Sequence, residues 1–469
     1  MKVLFCSSEV VPFAKTGGLA DVSGTLPAAL AGAGVDVKIV MPLYRCIDKK
    51  KFKLKKLDND TFLGKLGNKV EVYFIENKKY FDRDGLYQEK GVDYPDNLER
   101  FTYYCEQTLQ LLKKIKFKPD IIHCNDWQAG LIPVYLKTRY NNDPFYRKMK
   151  TVFTIHNLGY QGLFSAEEFS LTGLDKTLFS IEGLEFYGKV NLLKGALLFS
   201  DKITTVSVAY AREIQTPEFG CGLEGVLQKR AADLTGILNG IDYDEWNPLK
   251  NKALVKNYGP ENIDGKYVNK TALQKSVGLA VNKNVPLLGI ITRLADQKGL
   301  DILTAVIDQI VGMPVQFILL GTGDQRYHAL FEEIKKKHKN TSINLSFDAQ
   351  LAYKIYAGSD IFLMPSYYEP CGLGQLISFT FGTIPLVRRT GGLADTVIDY
   401  DPFTKEGTGF VFERYEAGAL LEALKRALCV YSDAKAWAGI MRRAMQSDFS
   451  WKKSAKQYCS LYTGIKSQK

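Results

Sequence analysis

Three short segments of this chain bring cations or glycine-rich turns to places where a diphosphate could be held. Lys15 opens KTGGLADV (Lys15–Val22), Arg293 and Lys298 stand in TRLADQKG (Thr292–Gly299), and EPCGLG (Glu369–Gly374) carries Pro370 and Gly372 at what reads as a helix start. Backbone N–H groups in such turns approach a ligand closely, and a helix N-terminus behind them favours negative charge. The hexapeptide TGGLAD occurs twice, with Gly17 and Gly18 in one copy and Gly391 and Gly392 in the other, RTGGLADTV (Arg389–Val397). Each copy follows a strand-like run and precedes a helix-like one, which predicts two related α/β halves, each with an anion-tolerant loop. Glu369 would repel a phosphate unless it faces something else, and the hydroxyls of a sugar are its natural partner.

These residues need rigid elements to aim them. KVLFCSS, VDVKIVMP, VEVYFIE (Val70–Glu76), DIIHCND (Asp120–Asp126), TVFTIHN (Thr151–Asn157) and KITTVS (Lys202–Ser207) read as strands, with a helix near Leu19–Ala33. In a parallel sheet ligands gather at the carboxyl ends of strands, where Asp126, His156 and Asn157 fall. In the second half PLLGIITRL (Pro286–Leu294), VQFILLGTGD, IFLMPS (Ile361–Ser366) and IPLVRR run into polar or glycine-rich loops, and the pattern turns helical after Tyr415. The alternation predicts an α/β protein of two Rossmann-like, doubly wound domains facing across a cleft. We place the first domain at 1–240, completed by a C-terminal helix over 448–469, and the second at 241–447, with the crossing near Thr235–Pro248.

Bulk properties fit this reading. A chain of 469 residues is long enough for two cores, and 46% hydrophobic with 24% charged residues is a globular balance. No apolar run approaches the ~18 residues a membrane span needs. In MKVLFCSSEVVPF, Glu9 interrupts the apolar run, so the segment reads as a buried first strand rather than a leader. The eight cysteines show no C-x-x-C spacing, which argues against a zinc site or a disulfide framework and fits a reducing cytoplasm. The net charge is +11, and its densest run, KKKFKLKK (Lys49–Lys56), reads in its second half as a charged sheet edge rather than a nucleic-acid surface. The D-x-D triplets at Asp58–Asp60, Asp82–Asp84, Asp242–Asp244 and Asp399–Asp401 read as coincidences of spacing, not as a metal site.

KTGGLADV, HNLGYQG, GILNGID, TRLADQKG, PSYYEPCGLGQL and PLVRRTGGLADTV, in this order over essentially the whole chain, resemble the bacterial glycogen synthases and plant starch synthases of glycosyltransferase family 5. The resemblance implies the two-domain GT-B fold and transfer of glucose from ADP-glucose to the non-reducing end of an α-1,4-glucan, with the anomeric configuration retained. It implies no cofactor and no metal, while the residues themselves show no nucleic-acid module and no membrane span, so neither partner is expected. Carried over by motif, it places Lys15 near the donor's phosphate or sugar. Arg293 and Lys298 fall on the diphosphate, supported by backbone amides around Cys371, Gly372, Leu373 and Gly374. Glu369 matches the family's sugar-binding glutamate, and His156 with Asn239 the pair that holds the glucose O6. Asp126 matches the aspartate near the acceptor, Asp21 lines the same cleft, and Tyr87 stands beside the donor. The catalytic set is therefore Lys15, Asp126, His156, Arg293, Lys298 and Glu369. For His156, a hydrogen-bond donor fixed at a strand end is preferred over a general base.

Two departures bear on this. Ser346–Phe347 stand where many relatives carry Gly-Tyr beside the base, so Phe347 is the stacking candidate and UDP-glucose remains an alternative donor. The E-x7-E pattern of broader relatives is not completed, since Ile377 follows Glu369, as is usual in this family. Retention through two carboxylates about 5 Å apart finds no assignable pair. The resemblance favours instead a front-face path, in which the leaving phosphate oxygen takes the acceptor's proton. A non-catalytic glucan- or nucleotide-binding protein on this scaffold would have lost Lys15, Arg293, Lys298 or Glu369, and all four are present.

Overall fold

Runs of valine, isoleucine, leucine and phenylalanine, buried on both faces, form the strands of two mostly parallel sheets. The structure is a computed structural model that describes residues 1–467. They divide into one unit of Met1–Gly240 with the segment returning at Trp451, and a second of Ile241–Ser450. Each is a doubly wound α/β layer structure, as the alternation of strand and helix predicts.

The main sheet of the first unit has nine strands, in the order Leu234–Gly236, Lys202–Thr205, Lys150–Ile155, Ile121–Asn125, Lys2–Cys6, Asp36–Pro42, Val70–Ile75, Thr61–Leu66, Lys55–Lys56. Neighbours are parallel from Leu234 to Ile75, and the two strands at the far edge run antiparallel. The chain starts in the middle, winds outward through Asp36–Pro42, and resumes on the other side at Ile121–Asn125. That reversal opens a crevice at the carboxyl ends of Lys2–Cys6 and Ile121–Asn125, where open sheets hold ligands. The returning helix Trp451–Ser467 is tied to the same sheet: the Tyr462 hydroxyl lies 2.6 Å from Nδ1 of the fully buried His123, and Lys466 pairs with Asp120 at 2.9 Å.

The basic run departs from expectation. Only Lys55–Lys56 is strand, at the outer edge; Asp48 instead caps the N–H groups of Lys50 and Lys51 at 2.8 and 3.0 Å, and Lys53 turns the chain at φ 51°. A small sheet of Leu163–Ser165, Lys189–Asn191 and Glu185–Phe186 was not legible in the sequence pattern.

The second unit has six parallel strands, ordered Thr341–Asn344, Gln316–Leu320, Leu287–Ile291, Ile361–Met364, Ile384–Arg388, Phe410–Phe412. Its reversal falls between Leu287–Ile291 and Ile361–Met364. Asp360 locks the amino end of this pair, accepting the Leu287 N–H at 2.8 Å and meeting the buried Lys270 ammonium at 2.6 Å. All eight cysteines are free thiols. Of the D-x-D triplets, Asp82 and Asp84 both hold Arg45, Asp244 holds Lys250, and Asp399 holds Arg426.

Candidate active site

In the first unit the site grows from the crevice beside Cys6. Glu9, only 3% exposed, lies where the chain leaves that strand, and the loop after it returns to Lys15. Its Oε2 accepts the N–H groups of Thr16 and, at 3.1 Å, Gly17; its Oε1 accepts the Thr16 hydroxyl at 2.6 Å and the Tyr87 hydroxyl at 2.8 Å. The loop amides of Thr16 and Gly17, expected to be open to a ligand anion, are thus taken by the chain's own carboxylate. Tyr87, half-buried, braces this loop, with its hydroxyl also 2.6 Å from Ser8 Oγ. Burial, with the Glu9 charge beside it, pushes the phenol pKa far up.

Behind Tyr87 stands Arg100, fully buried in the helix Asn97–Lys114. Its guanidinium donates to the Tyr80 carbonyl at 2.7 Å, the Leu86 carbonyl at 2.9 Å and Asn97 Oδ1 at 2.6 Å, while Asn97 Nδ2 donates to the Tyr87 carbonyl at 3.0 Å. Arg100 and Asn97 therefore fix the Tyr80–Tyr87 segment, Tyr87 fixes Glu9, and Glu9 fixes the loop that presents Lys15. Gly18 heads the helix Gly18–Gly32. Lys15 Nζ lies 2.6 Å from Asp21 Oδ1. Burial raises the Asp21 pKa, and the lysine charge offsets part of that rise.

Asp126 and His156 meet at the neighbouring strand ends. Asp126 takes φ 54°, ψ 177°, a strained backbone for a residue with a side chain, and its Oδ1 accepts the His156 N–H at 2.8 Å. Burial pushes the Asp126 carboxyl up to about 7, and hydrogen bonds from the His156 and Asn157 backbone limit the rise. His156 Nε2 lies 2.9 Å from Asn125 Oδ1, while Asn125 Nδ2 donates to the Cys6 carbonyl at 3.0 Å. Turning that amide over would set two oxygens face to face, so Nε2 carries the proton and donates. His156 is thus a donor fixed at the strand end, as expected, and its Nδ1 holds a lone pair able to accept a further hydrogen bond. Burial pushes its pKa down to about 3. Asn239 is 5% exposed, and its Oδ1 has no partner among the described residues. Leaving such an oxygen unmet costs about 1–3 kcal/mol, and a ligand hydroxyl would meet it.

In the second unit the turn Asp296–Lys298 packs on the loop after Ile361–Met364 because Gly299 follows it. Gly299 sits at φ 66°, and a Cβ there would lie 1.9 Å from the Pro365 carbonyl oxygen. This contact sets Lys298 Nζ 2.7 Å from Glu369 Oε2, with Ser366 Oγ 3.0 Å from the same oxygen. Glu369 therefore faces a cation. Arg293 is exposed at the end of the adjoining strand, with Nη2 3.5 Å from Gln297 Oε1.

The second TGG copy shapes the Glu369–Gly374 loop. The Gly392 N–H donates to the Glu369 carbonyl at 3.0 Å, and a Cβ on Gly392 would stand 1.9 Å from the Cys371 carbonyl oxygen. Gly372 turns the chain at φ 71° beside the buried Cys371, and Leu373 precedes the helix Gly374–Thr380, whose first N–H groups lack intrahelical acceptors. Phe347 is 85% exposed in the loop after Thr341–Asn344.

Sequence reasoning missed Glu9, Arg100, Asn125 and Ser366. Glu9 had a signal: a lone carboxylate directly after an apolar strand and shortly before the glycine turn.

The starch synthase catalytic domain family matches residues 2–229, and the group 1 glycosyl transferases match residues 273–439. Glycogen synthase 2 of Geobacter sulfurreducens is 50% identical over 98% of both chains, and the glycogen synthase of Thermotoga maritima 48% identical over 98% of both. The catalytic domain of starch synthase IV from Arabidopsis thaliana, solved bound to ADP and acarbose, superposes with a TM-score of 0.92 at 36% identity over 99% of both chains. Sucrose-phosphate synthase from Thermosynechococcus elongatus shares the fold, with a TM-score of 0.61 at 19% identity over 99% of this chain and 98% of that one.

Proposed function

This chain belongs to glycosyltransferase family 5, the bacterial glycogen synthases and starch synthases, and from that premise we propose how its residues carry out the reaction. Glucose passes from ADP-glucose to the non-reducing end of an α-1,4-glucan, with the anomeric configuration retained. The bond between the anomeric carbon and the phosphate oxygen breaks, leaving positive charge on the sugar and negative charge on the phosphate. Arg293, Lys298 and the amides from Gly372 to Gly374 oppose the charge on the phosphate, and removing one such group typically costs about 3–4 kcal/mol. Glu369 holds Lys298 in place and faces the sugar hydroxyls. The acceptor hydroxyl bonds to the anomeric carbon and passes its proton to the departing phosphate oxygen.

His156, with its pKa near 3, is a poor base at neutral pH. It and Asn239 instead accept hydrogen bonds from sugar hydroxyls. Phe347 offers an exposed ring to the base, and the ADP held by the starch synthase IV structure favours adenine over uracil. Eight free thiols suit a reducing compartment, and no described helix is long and apolar enough to cross a membrane.

The observation that carries this reading is the Lys298–Glu369 pair, 2.7 Å apart at the sheet's point of reversal. The test is incorporation of labelled glucose into glycogen from ADP-glucose and UDP-glucose offered separately. We expect ADP-glucose to be used in preference and Lys298→Ala to lower the rate by about 10²–10³. A faster reaction with UDP-glucose would overturn the donor assignment, and an unaffected variant would remove Lys298 from the site.

A further inference from the structure

We propose that the Ile241–Ser450 unit carries a second glucan-binding subsite, separate from the residues that hold the nucleotide sugar. It is a cavity of about 670 Å³, open to solvent, whose walls come from four parts of the unit. Asp296 and Asp301 flank the turn after the strand Leu287–Ile291, and Arg326 and Tyr327 open the helix Gln325–Lys337. Tyr367 follows Ile361–Met364, and Tyr415 follows Phe410–Phe412.

The rings are held in place rather than left to rotate. The Tyr327 hydroxyl donates to Asp296 Oδ1 at 2.7 Å, and the Tyr415 hydroxyl donates to Asp301 Oδ1. Tyr367 and Tyr415 meet edge to face with centroids 5.0 Å apart. Each carboxylate uses only its Oδ1 in these bonds, and Arg326 binds that same Asp296 oxygen. The Oδ2 atoms are then able to accept from hydroxyls.

Charge and shape select the ligand class. Two carboxylates are balanced by two guanidiniums, Arg326, paired with Asp296, and Arg388, which lies 5.9 and 5.4 Å from the Tyr367 and Tyr415 ring centres, so the cavity carries no net charge to draw a phosphate and suits an uncharged ligand. Tyr327 is 2% exposed and serves to hold Asp296, whereas the half-buried rings of Tyr367 and Tyr415, beside carboxylate oxygens, suit an uncharged ring with an apolar face and hydroxyls at its edge. The volume lies within the ~300–1,000 Å³ usual for ligand sites. This inference rests on the α-glucan acceptor proposed above, a polymer that presents many such rings. A second contact on the same polymer would hold chain ends near the reaction without changing the chemistry.

Two variants test it. Leu330→Trp fills the cavity from an exposed position on its wall, and Tyr415→Ala removes a ring. Initial rates are measured with glycogen and, separately, with maltotriose, a three-ring acceptor without the many rings and chain ends of the polymer. Mobility in native gels containing glycogen gives a direct readout of binding. The subsite predicts that both variants raise KM for glycogen by about tenfold and migrate faster in the glycogen gel, with KM for maltotriose and ADP-glucose within about twofold of wild type. Unchanged glycogen KM and mobility in Leu330→Trp would overturn it, even if Tyr415→Ala does not fold. A wild-type protein inactive with every acceptor would sink the proposed reaction, whereas the gel would still report on the subsite.

Discussion

Lys15 is placed by a carboxylate that lies outside the proposed catalytic set. Glu9 gathers two loop amides and two hydroxyls and so sets where Lys15 stands. Glu9→Gln would turn an amide N–H₂ toward one set of these donors and loosen the loop. Misplacement by about 1 Å can cost 10²-fold, so we expect kcat to fall about ten- to a hundredfold while the melting temperature changes little; a rate within about twofold of wild type would contradict this. Asp126 supplies a pH signature. Folded, it keeps its proton up to about 7, against an ordinary 3.8, so its ionisation lowers stability as pH rises through that window. His156 and His123 act in the opposite sense: burial takes both from 6.5 to about 3, so the stability they contribute is present above 6.5 and lost as pH falls toward 3. Asp126→Asn removes the opposing slope. Thermal melts should therefore climb more steeply between about pH 4 and 6.5 in the variant than in wild type, and parallel curves would show that Asp126 does not hold its proton.

Among the elements, the repeated TGGLAD segments carry the same letters for different reasons. At Gly17 the backbone is extended and a Cβ would meet nothing within 4 Å, so the fold itself does not require glycine there. At Gly392 a Cβ would collide with the Cys371 carbonyl. Gly392→Ala should therefore destabilise the protein by about 1–3 kcal/mol, the usual range for overpacking, while Gly17→Ala melts like wild type; equal melting of the two would refute the distinction. This marks the limit of what the sequence conveyed. Strands and their order along the chain were legible, since runs such as Leu287–Ile291 and Gln316–Leu320 are apolar enough to identify themselves. So were the cations and glycines at strand ends. The supporting shell was not: nothing in local spacing shows that Arg100 reaches the Leu86 carbonyl, or that Asn125 decides which nitrogen of His156 holds the proton. The basic run misled because alternation over a few residues cannot reveal that Asp48 caps a turn first.

Over the whole molecule one rule of sheet topology appears twice. In the first unit the reversal falls beside Cys6 and Asn125, and Glu9 and Asp126 follow those strands; in the second it falls between Leu287–Ile291 and Ile361–Met364, and Arg293, Lys298 and Glu369 follow those. The C-terminal helix belongs to the first unit because its Tyr462 reaches His123 in the middle of that sheet. The proposed reaction requires the second reversal point to bind the diphosphate. A crystal structure with ADP tests this directly. We predict the diphosphate against Lys298 Nζ, the Arg293 guanidinium and the amides from Gly372 to Gly374. A diphosphate bound elsewhere, with Lys298 still engaged by Glu369 alone, would contradict it.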